Sequence, residues 1–121
     1  MNLGNAANTI GEVNLLNAGS GGFSGALTLV NDGDGLTVNG SLAGTDLTGL
    51  SIVTDGDLSL GADFDLSAPT TSGALDLVLA STNGDIKSQA PASAFAGLDA
   101  GANQRLLAYS TNKSQTTLAT D

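Results

Sequence analysis

The chain has 121 residues, a formal net charge of −9, 40% hydrophobic residues and only 3% aromatic residues. The acidic excess excludes nucleic acid and anionic membrane surfaces as partners, since both are bound through clustered basic residues. The chain has no His and no Cys, which excludes a Ser-His nucleophile pair and most zinc sites. No apolar stretch approaches the roughly 20 residues of a membrane-spanning helix, and the first residues lack the basic and apolar parts of a signal peptide.

The composition predicts a thin aliphatic core with many tight turns. Glycine is abundant, with 17 residues, whereas the aromatic side chains are Phe23, Phe64, Phe95 and Tyr109. Compact cores usually draw much of their volume from aromatic rings. Leu and Val must supply this volume here, as in a solenoid whose stacked coils each contribute a few inward residues.

The first forty residues contain short alternating pieces separated by turns. Weak strands are expected around Ile10 and over residues 13–16, and residues 19–22 (GSGG) form a loop by composition. Residues 26–30 are predicted to form a strand with its two leucines on one face, because successive strand side chains point to opposite faces. The alternation resumes over residues 36–38, after an NDGDG turn.

The central part of the chain continues the alternation. Further strands are expected over residues 51–54, around the inward pairs Leu58/Leu60 and Phe64/Leu66, through Leu75, Leu77 and Leu79, and from Ile86 onward. Turn dipeptides occupy residues 39–40, 55–56 and 83–84, so that their spacings are 16 and 28 residues. This irregular spacing fits a solenoid that extrudes loops, and it also fits a β-sandwich. Both architectures stay open at this point.

The composition changes after residue 88. Residues 1–88 are predicted to be solenoid repeats, and residues 89–121 a terminal cover or an extension of the same domain. Residues 105–110 (RLLAYS) are expected to form a strand, residues 92–102 a long loop or a capping helix, and residues 116–118 a last strand.

Aspartates beside glycines are the candidates for a metal site. Asp32, Asp34, Asp55 and Asp57 are the calcium candidates, because calcium prefers clustered carboxylate and carbonyl oxygens. An EF-hand would need an acid eleven positions beyond Asp32, where the chain has Ala43, and the GGxGxD repeat of calcium β-rolls is absent. Asp-Gly is a common turn dipeptide, so structural turns are the favoured interpretation and no cofactor is expected.

Two further site hypotheses come from the outward residues of the strands. The pairs Asp55/Asp57 and Asp63/Asp65 stand at i, i+2, a spacing that could serve glycoside cleavage, although sugar-stacking aromatics are scarce. A flat threonine array of the ice-binding kind is not visible, because the outward residues mix Thr28, Thr37, Ser59, Asp65 and Asp76.

The run GALTLVNDGDGLTVNGSLAGTDLTGLSIVTDGDLSLGADFDLSAPTTSGALDLVLASTNGDI, preceded by NTIGEV and followed by GLDAGANQRLLAYST, resembles filamentous-haemagglutinin-type passenger repeats. These repeats belong to exoproteins of two-partner secretion systems in Gram-negative bacteria. The resemblance implies a right-handed parallel β-helix on the bacterial cell surface or outside the cell, with a role in adhesion or filament building. The secretion domain that begins such exoproteins is not recognisable here, so the resemblance implies a piece of a passenger.

These observations predict a non-enzymatic structural or adhesive module that could assemble into filaments. The expected partners are other copies or neighbouring repeats of the same protein, and a host glycan or surface receptor; nucleic acid and membrane insertion are not expected. A carbohydrate-binding or carbohydrate-cleaving β-helix is the alternative.

Overall fold

The structure, a computed structural model, describes residues 2–3, 8–16, 24–42, 46–66, 76–98 and 105–111. The described part contains no α-helix. Its strands are β1 (Asn2–Leu3), β2 (Glu12–Leu16), β3 (Ser24–Asn31), β4 (Gly35–Ser41), β5 (Asp46–Thr54), β6 (Asp57–Leu60), β7 (Asp76–Ser81), β8 (Ile86–Ser88) and β9 (Arg105–Ser110). A 3₁₀ helix spans Ala92–Leu98, where a loop or a capping helix was expected, and the strand expected over residues 105–110 is confirmed.

The nine strands form two sheets whose order follows the chain. The odd sheet has the order β1-β3-β5-β7-β9, and the even sheet has the order β2-β4-β6-β8. All pairs of these strands are parallel. Antiparallel pairs, from which most β-sandwiches are built, are therefore absent from the described strands. The fold is all-β with two parallel sheets.

Residues in equivalent positions of successive strands form columns across each sheet. In the odd sheet, Leu27 lies beside Leu50, Leu50 beside Leu77, and Leu77 beside Leu106. In the even sheet, Leu36 lies beside Leu58, and Leu58 beside Ile86. Each chain segment therefore places its apolar residues directly against those of the next segment.

The inward residues of both sheets form one hydrophobic core. Burial alternates along β4, β6 and β7, as the period-two pattern predicts. Leu36 and Val38 of the even sheet belong to the same buried cluster as Leu77 and Leu79 of the odd sheet. Burying one such side chain contributes about 1.5–3 kcal/mol relative to leaving it in water, so the shared core is the main source of stability.

A third row of contacts joins the segments that leave the even strands. Ser41 forms a parallel bridge with Asp65, and the backbone N–H of Leu42 donates to the Asp65 carbonyl at 2.9 Å. The N–H of Leu66 donates to the Ala94 carbonyl at 2.7 Å. Leu42, Leu66 and Ala94 are all buried in the shared core. The 3₁₀ helix thus continues this row on the segment after β8.

A buried polar column closes the carboxyl ends of the odd strands. It consists of Asn31, Thr54 and Ser81, which stand in register and are at most 2% exposed, and of Ser110. The Asn31 amide donates to the Thr54 hydroxyl at 3.1 Å, and the hydroxyl of Ser81 donates to the Gly56 carbonyl at 2.8 Å. Buried polar groups are costly unless hydrogen-bonded, so these contacts fix where each segment turns.

The turns that follow the odd strands are stacked so closely that one of them requires glycine. A Cβ on Gly56 would collide with the carbonyl oxygen of Asp34 in the preceding turn. The backbone N–H of Gly56 also donates to the Gly33 carbonyl at 3.2 Å. Gly56 is therefore needed for the close approach of two backbones rather than for an unusual φ.

Some predictions fall outside the described residues or are not tested. The loop at 19–22 and the last strand at 116–118 lie outside them. The division at residue 88 stays a prediction, although Ala90 and Ala94 belong to the same core cluster as the strands. Among the described residues, no helix is long and apolar enough to cross a membrane.

Candidate functional site

A cluster of hydrogen-bonded polar residues lies on the turns between the odd and even strands. Asp55 and Asp57 flank Gly56 in one turn, and both accept hydrogen bonds from the next turn along the chain. The Asp55 carboxylate accepts from the Thr82 hydroxyl at 2.8 Å and from the Asn83 side-chain amide. These contacts join residues 27 and 28 positions apart. Asp55 therefore connects two stacked turns.

Asp57 makes an equivalent set of contacts with charged partners. Its carboxylate accepts from the backbone N–H of Asp85 at 2.9 Å and from the Lys87 ammonium at 3.2 Å. Lys87 also lies 3.5 Å from the Asp85 carboxylate. The side chains of Asp57 and Lys87 are about half exposed, at 49% and 50%, so solvent screens their attraction and the pair contributes little to stability.

These contacts shift the ionisation of both partners. The Asp85 N–H, followed by the Lys87 ammonium, lowers the pKa of Asp57 below its ordinary value. The hydrogen bond to Asp57 raises the pKa of Lys87. Both shifts favour the charged forms, as expected for an ion pair that also has a backbone donor. Each carboxylate oxygen of Asp57 therefore accepts one hydrogen bond from the neighbouring turn and strand.

The four calcium candidates do not converge on one point. Asp32 and Asp34 are exposed in the turn before β4, whereas Asp55 and Asp57 contact the turn before β8. Within the described ranges, no three acidic side chains come close enough to hold a metal ion together. Asp55 and Asp57 join neighbouring turns through hydrogen bonds, and the interpretation of all four as structural turn residues stays a prediction.

Asp63 and Asp65 line an open depression of about 330 Å³ beside the 3₁₀ helix. Phe64 between them points into the core, where its ring lies 5.9 Å from that of Phe95. Asp65 accepts a hydrogen bond from the Ser41 hydroxyl at 3.2 Å. The structure therefore brings this predicted carboxylate pair to one surface, and none of the described residues that line it presents an exposed aromatic face for a sugar ring.

A larger groove, of about 580 Å³, lies between the carboxyl ends of β7 and β9. Tyr109 lines it and is 59% exposed. The groove is also lined by the hydroxyl-bearing residues Ser81, Thr82, Ser110 and Thr111. Sequence reasoning missed this site; its one signal was that Tyr109 is the chain's single tyrosine.

The outward columns do not form a threonine array. Thr28 lies beside Ser51, and Ser51 beside Val78. Thr37 lies beside Ser59, and Ser59 beside Lys87. The type of outward side chain in each column differs from one strand to the next. The described strands therefore do not form the regular array of hydroxyl groups that an ice-binding face needs.

No protein-family model, curated protein or solved structure matches the chain.

Proposed function

We propose that this chain is a non-enzymatic structural or adhesive module, built as a segment of right-handed parallel β-helix that belongs to a secreted or surface-exposed bacterial exoprotein. The observation that carries the proposal is the sheet order. Two parallel sheets run through the chain in alternating odd and even order and share one core. A chain that coils repeatedly through the same two faces has this topology.

The third row of contacts supports the coiled path. Leu42, Leu66 and Ala94 bury their side chains in the common core between one even strand and the next odd strand. Together with the two sheets, this row gives each segment three inward faces. Right-handedness is the part of the proposal that follows the general preference of parallel crossover connections and the family resemblance.

The surface chemistry supports a structural or adhesive role over catalysis. Asp55 and Asp57 use their carboxylates to join successive turns. Catalytic acids are instead found in clefts that gather titratable groups with opposed pKa values. The Asp63/Asp65 depression and the Tyr109 groove are both open, so binding would use extended surface and loops.

A carbohydrate-binding β-helix is the second candidate, and the Tyr109 groove favours it. Sugar rings stack on exposed aromatic faces while hydroxyls and amides complete their hydrogen bonds. Beside Tyr109, the hydroxyls of Thr82, Ser110 and Thr111 donate hydrogen bonds within the protein, so towards a sugar they would act as acceptors. No acidic residue lines this groove, so among the described residues the groove itself favours binding over cleavage. The Asp63/Asp65 depression is where cleavage would be sought.

Two assays on the purified chain test the proposal. In the first, a panel of acidic and neutral polysaccharides is incubated with the chain and the release of reducing ends is followed. The proposal predicts no release, and release that Asp63→Asn or Asp65→Asn abolishes would contradict it. In the second, beads coated with the chain are applied to immobilised glycans and to epithelial cell surfaces.

The bead assay separates the two candidates. Retention that survives Tyr109→Ala supports adhesion through the extended surface. Retention on one saccharide class that is lost in Tyr109→Ala but kept in Leu107→Ala supports the carbohydrate-binding alternative. Leu107 is a matched control because it lies on the same strand and is 40% exposed.

A further inference from the structure

The chain contains two identical Asn-Gly dipeptides, Asn39-Gly40 and Asn83-Gly84, which the fold holds differently. In such a dipeptide the backbone nitrogen of the glycine can attack the side-chain carbonyl carbon of the asparagine, because the glycine has no Cβ to hinder the approach. The asparagine side chain must turn towards that nitrogen, and water must reach the site. The reactivity of each dipeptide therefore depends on how the fold restrains it.

The first dipeptide is restrained by its strand and by its side-chain contacts. Asn39 and Gly40 lie within β4, in the ladder that this strand forms with β2, and Gly40 is buried. The Asn39 amide donates to the Glu12 carboxylate at 3.0 Å. Its side-chain oxygen lies so close to Gly61 that a Cβ added there would come within 1.5 Å of it. The side chain of Asn39 can turn towards the Gly40 nitrogen only if the strand opens locally.

The second dipeptide lies outside the strands, in the turn between β7 and β8. Asn83 is exposed, and its side-chain amide donates to the Asp55 carboxylate in a contact that is open to solvent. In the described part of the chain, the backbone N–H of Gly84 donates to no acceptor. A solvent-exposed hydrogen bond contributes little net free energy, so the Asn83 side chain can leave Asp55 at low cost.

We propose that Asn83 is a site of spontaneous deamidation and that Asn39 is protected from it. The Gly84 nitrogen gives its proton to a solvent base and bonds to the Asn83 side-chain carbon. The bond from that carbon to Nδ2 breaks, and ammonia leaves with a proton taken from water, which closes a five-membered succinimide ring. One water molecule then opens the ring.

The ring can open in two directions. Cleavage of the new bond to the side-chain carbon gives aspartate. Cleavage of the bond to the backbone carbonyl carbon of residue 83 gives isoaspartate, which has one more methylene carbon in the backbone. In both cases one water is consumed and one ammonia is released, and no atom is oxidised or reduced.

The reaction would remove a contact between two stacked turns. The Asn83 amide donates to Asp55, whereas a carboxylate at position 83 has no proton to donate and repels the Asp55 carboxylate. Isoaspartate would also displace the Gly84 carbonyl, which accepts from the hydroxyls of Ser110 at 3.1 Å and Thr111 at 3.0 Å. Both of these residues line the groove of Tyr109, so the modification would change the groove as well.

Tandem mass spectrometry of the incubated chain measures the selectivity. The wild-type protein is kept in mildly alkaline buffer, digested at successive times, and analysed for the replacement of the amide NH₂ by OH at each asparagine. Electron-transfer fragmentation separates isoaspartate from aspartate. We expect Asn83 to react at least about tenfold faster than Asn39, because the strand position must first open. In guanidinium chloride the two rates should become similar.

Three variants test the consequence for the turns. Asn83→Gln keeps a side-chain amide but would need a slower six-membered ring closure, so its thermal midpoint should stay close to that of the wild type during incubation. Asn83→Asp should lower the midpoint by a few degrees. Asp55→Asn combined with Asn83→Asp places an amide donor opposite the new carboxylate and should recover most of this loss. No recovery would overturn the lost contact as the consequence of deamidation.

The rates decide the site itself. Equal rates at the two dipeptides in the folded chain, or a faster reaction at Asn39, overturn the proposal. An Asn83 that stays intact in the folded chain, under conditions in which the unfolded chain reacts there, overturns it too. None of these outcomes depends on adhesion or on polysaccharide cleavage, so the proposed function is tested separately.

Discussion

Asn31 and Thr54, 23 residues apart, are joined by a buried side-chain hydrogen bond of 3.1 Å at the ends of two neighbouring parallel strands. Asn31 also accepts from the backbone N–H of Ile10 at 2.6 Å and donates to the Gly35 carbonyl at 3.3 Å. One side chain thus ties three successive segments of the chain at the same corner. This relationship makes Asn31 the most connected residue of the polar column.

Replacing Asn31 should destabilise the fold more than replacing its partner. Asn31→Leu keeps the volume but leaves the Ile10 N–H and the Thr54 hydroxyl without this partner, at a cost of about 2–4 kcal/mol in the free energy of unfolding. Thr54→Val removes one hydroxyl and should cost about 1 kcal/mol. Urea denaturation followed by circular dichroism measures both. Equal costs would show that the Asn31 contacts act no differently from the single Thr54 contact.

Glycine at position 56 should be required, whereas glycine at position 49 should not. Gly56→Ala forces a Cβ against the Asp34 carbonyl oxygen, and we expect a loss of about 1–3 kcal/mol or more. At Gly49 an added Cβ would meet its nearest atoms at ordinary distances of 3.6 and 3.7 Å. Gly49→Ala should therefore be neutral or stabilise by up to about 1 kcal/mol. Thermal unfolding compares the two, and a harmless Gly56→Ala would contradict the close stacking of turns.

Within the leucine column, replacing a buried member should cost more free energy of unfolding than replacing the exposed one. Leu77→Ala removes a fully buried side chain and should cost about 2–5 kcal/mol. Leu106→Ala, in the same column but 41% exposed, should cost less than half as much in a monomeric sample. Chemical denaturation measures both costs. The protein concentration is kept low, because any association between molecules would add to the apparent free energy of unfolding of the wild type. A larger loss at position 106 than at 77 would refute the assignment of the column.

Asp57 should make a small contribution to the loss of stability in acid, mainly through the hydrogen bond that it accepts from the Asp85 N–H. A carboxyl group with a lowered folded-state pKa stabilises the protein above its unfolded pKa, which is about 3.9, and this stability is lost as the pH falls through the lower folded value. Asp57→Asn keeps an acceptor for the Asp85 N–H but removes the ionisation. The variant should therefore lose less stability than wild type between about pH 5 and pH 2.

The control for this pH experiment is Asp34→Asn. Asp34 is exposed, and its carboxylate has no hydrogen-bond or ion-pair partner in the described part of the chain. Lys87 should affect the alkaline side of the stability curve instead. Its pKa is raised in the folded state, so the stability that its charge contributes is present below about pH 10.4 and is lost as the pH rises through the folded-state pKa. An acid limb that is identical in wild type and Asp57→Asn would contradict the role given to Asp57.

The alternation of apolar residues predicted most of the strands but not their partners; the strand expected around Ile10 is not formed, and β1 was not predicted. Leu77 and Leu79 are inward, as expected, and the strand over residues 105–110 was foreseen from its composition alone. The register could not be foreseen, because turn dipeptides spaced by 16 and 28 residues conceal the 23-residue offset between Asn31 and Thr54. Asn31 looked like an ordinary turn residue, since its burial depends on strands that are distant in sequence.

The contacts of the polar residues could not be predicted from the sequence, for a related reason. Asp55 and Asp57 stand beside glycine, which made structural turns the favoured interpretation and calcium the alternative; in the structure their carboxylates accept hydrogen bonds from Thr82 and Asp85. These contacts span 27 and 28 residues. No local pattern contains them. The Tyr109 groove likewise exists only because β9 lies beside β7.

The most direct test of the stacked parallel strands is disulfide trapping between neighbouring strands. The chain has no native cysteine, so a Thr28→Cys/Ser51→Cys variant carries one outward pair in direct register, and Thr28→Cys/Val53→Cys carries the same face shifted by two residues. The account predicts rapid intramolecular oxidation of the first pair and slow oxidation of the second, because a disulfide needs Cα atoms within about 7 Å. Equal rates, or faster trapping of the shifted pair, would contradict it.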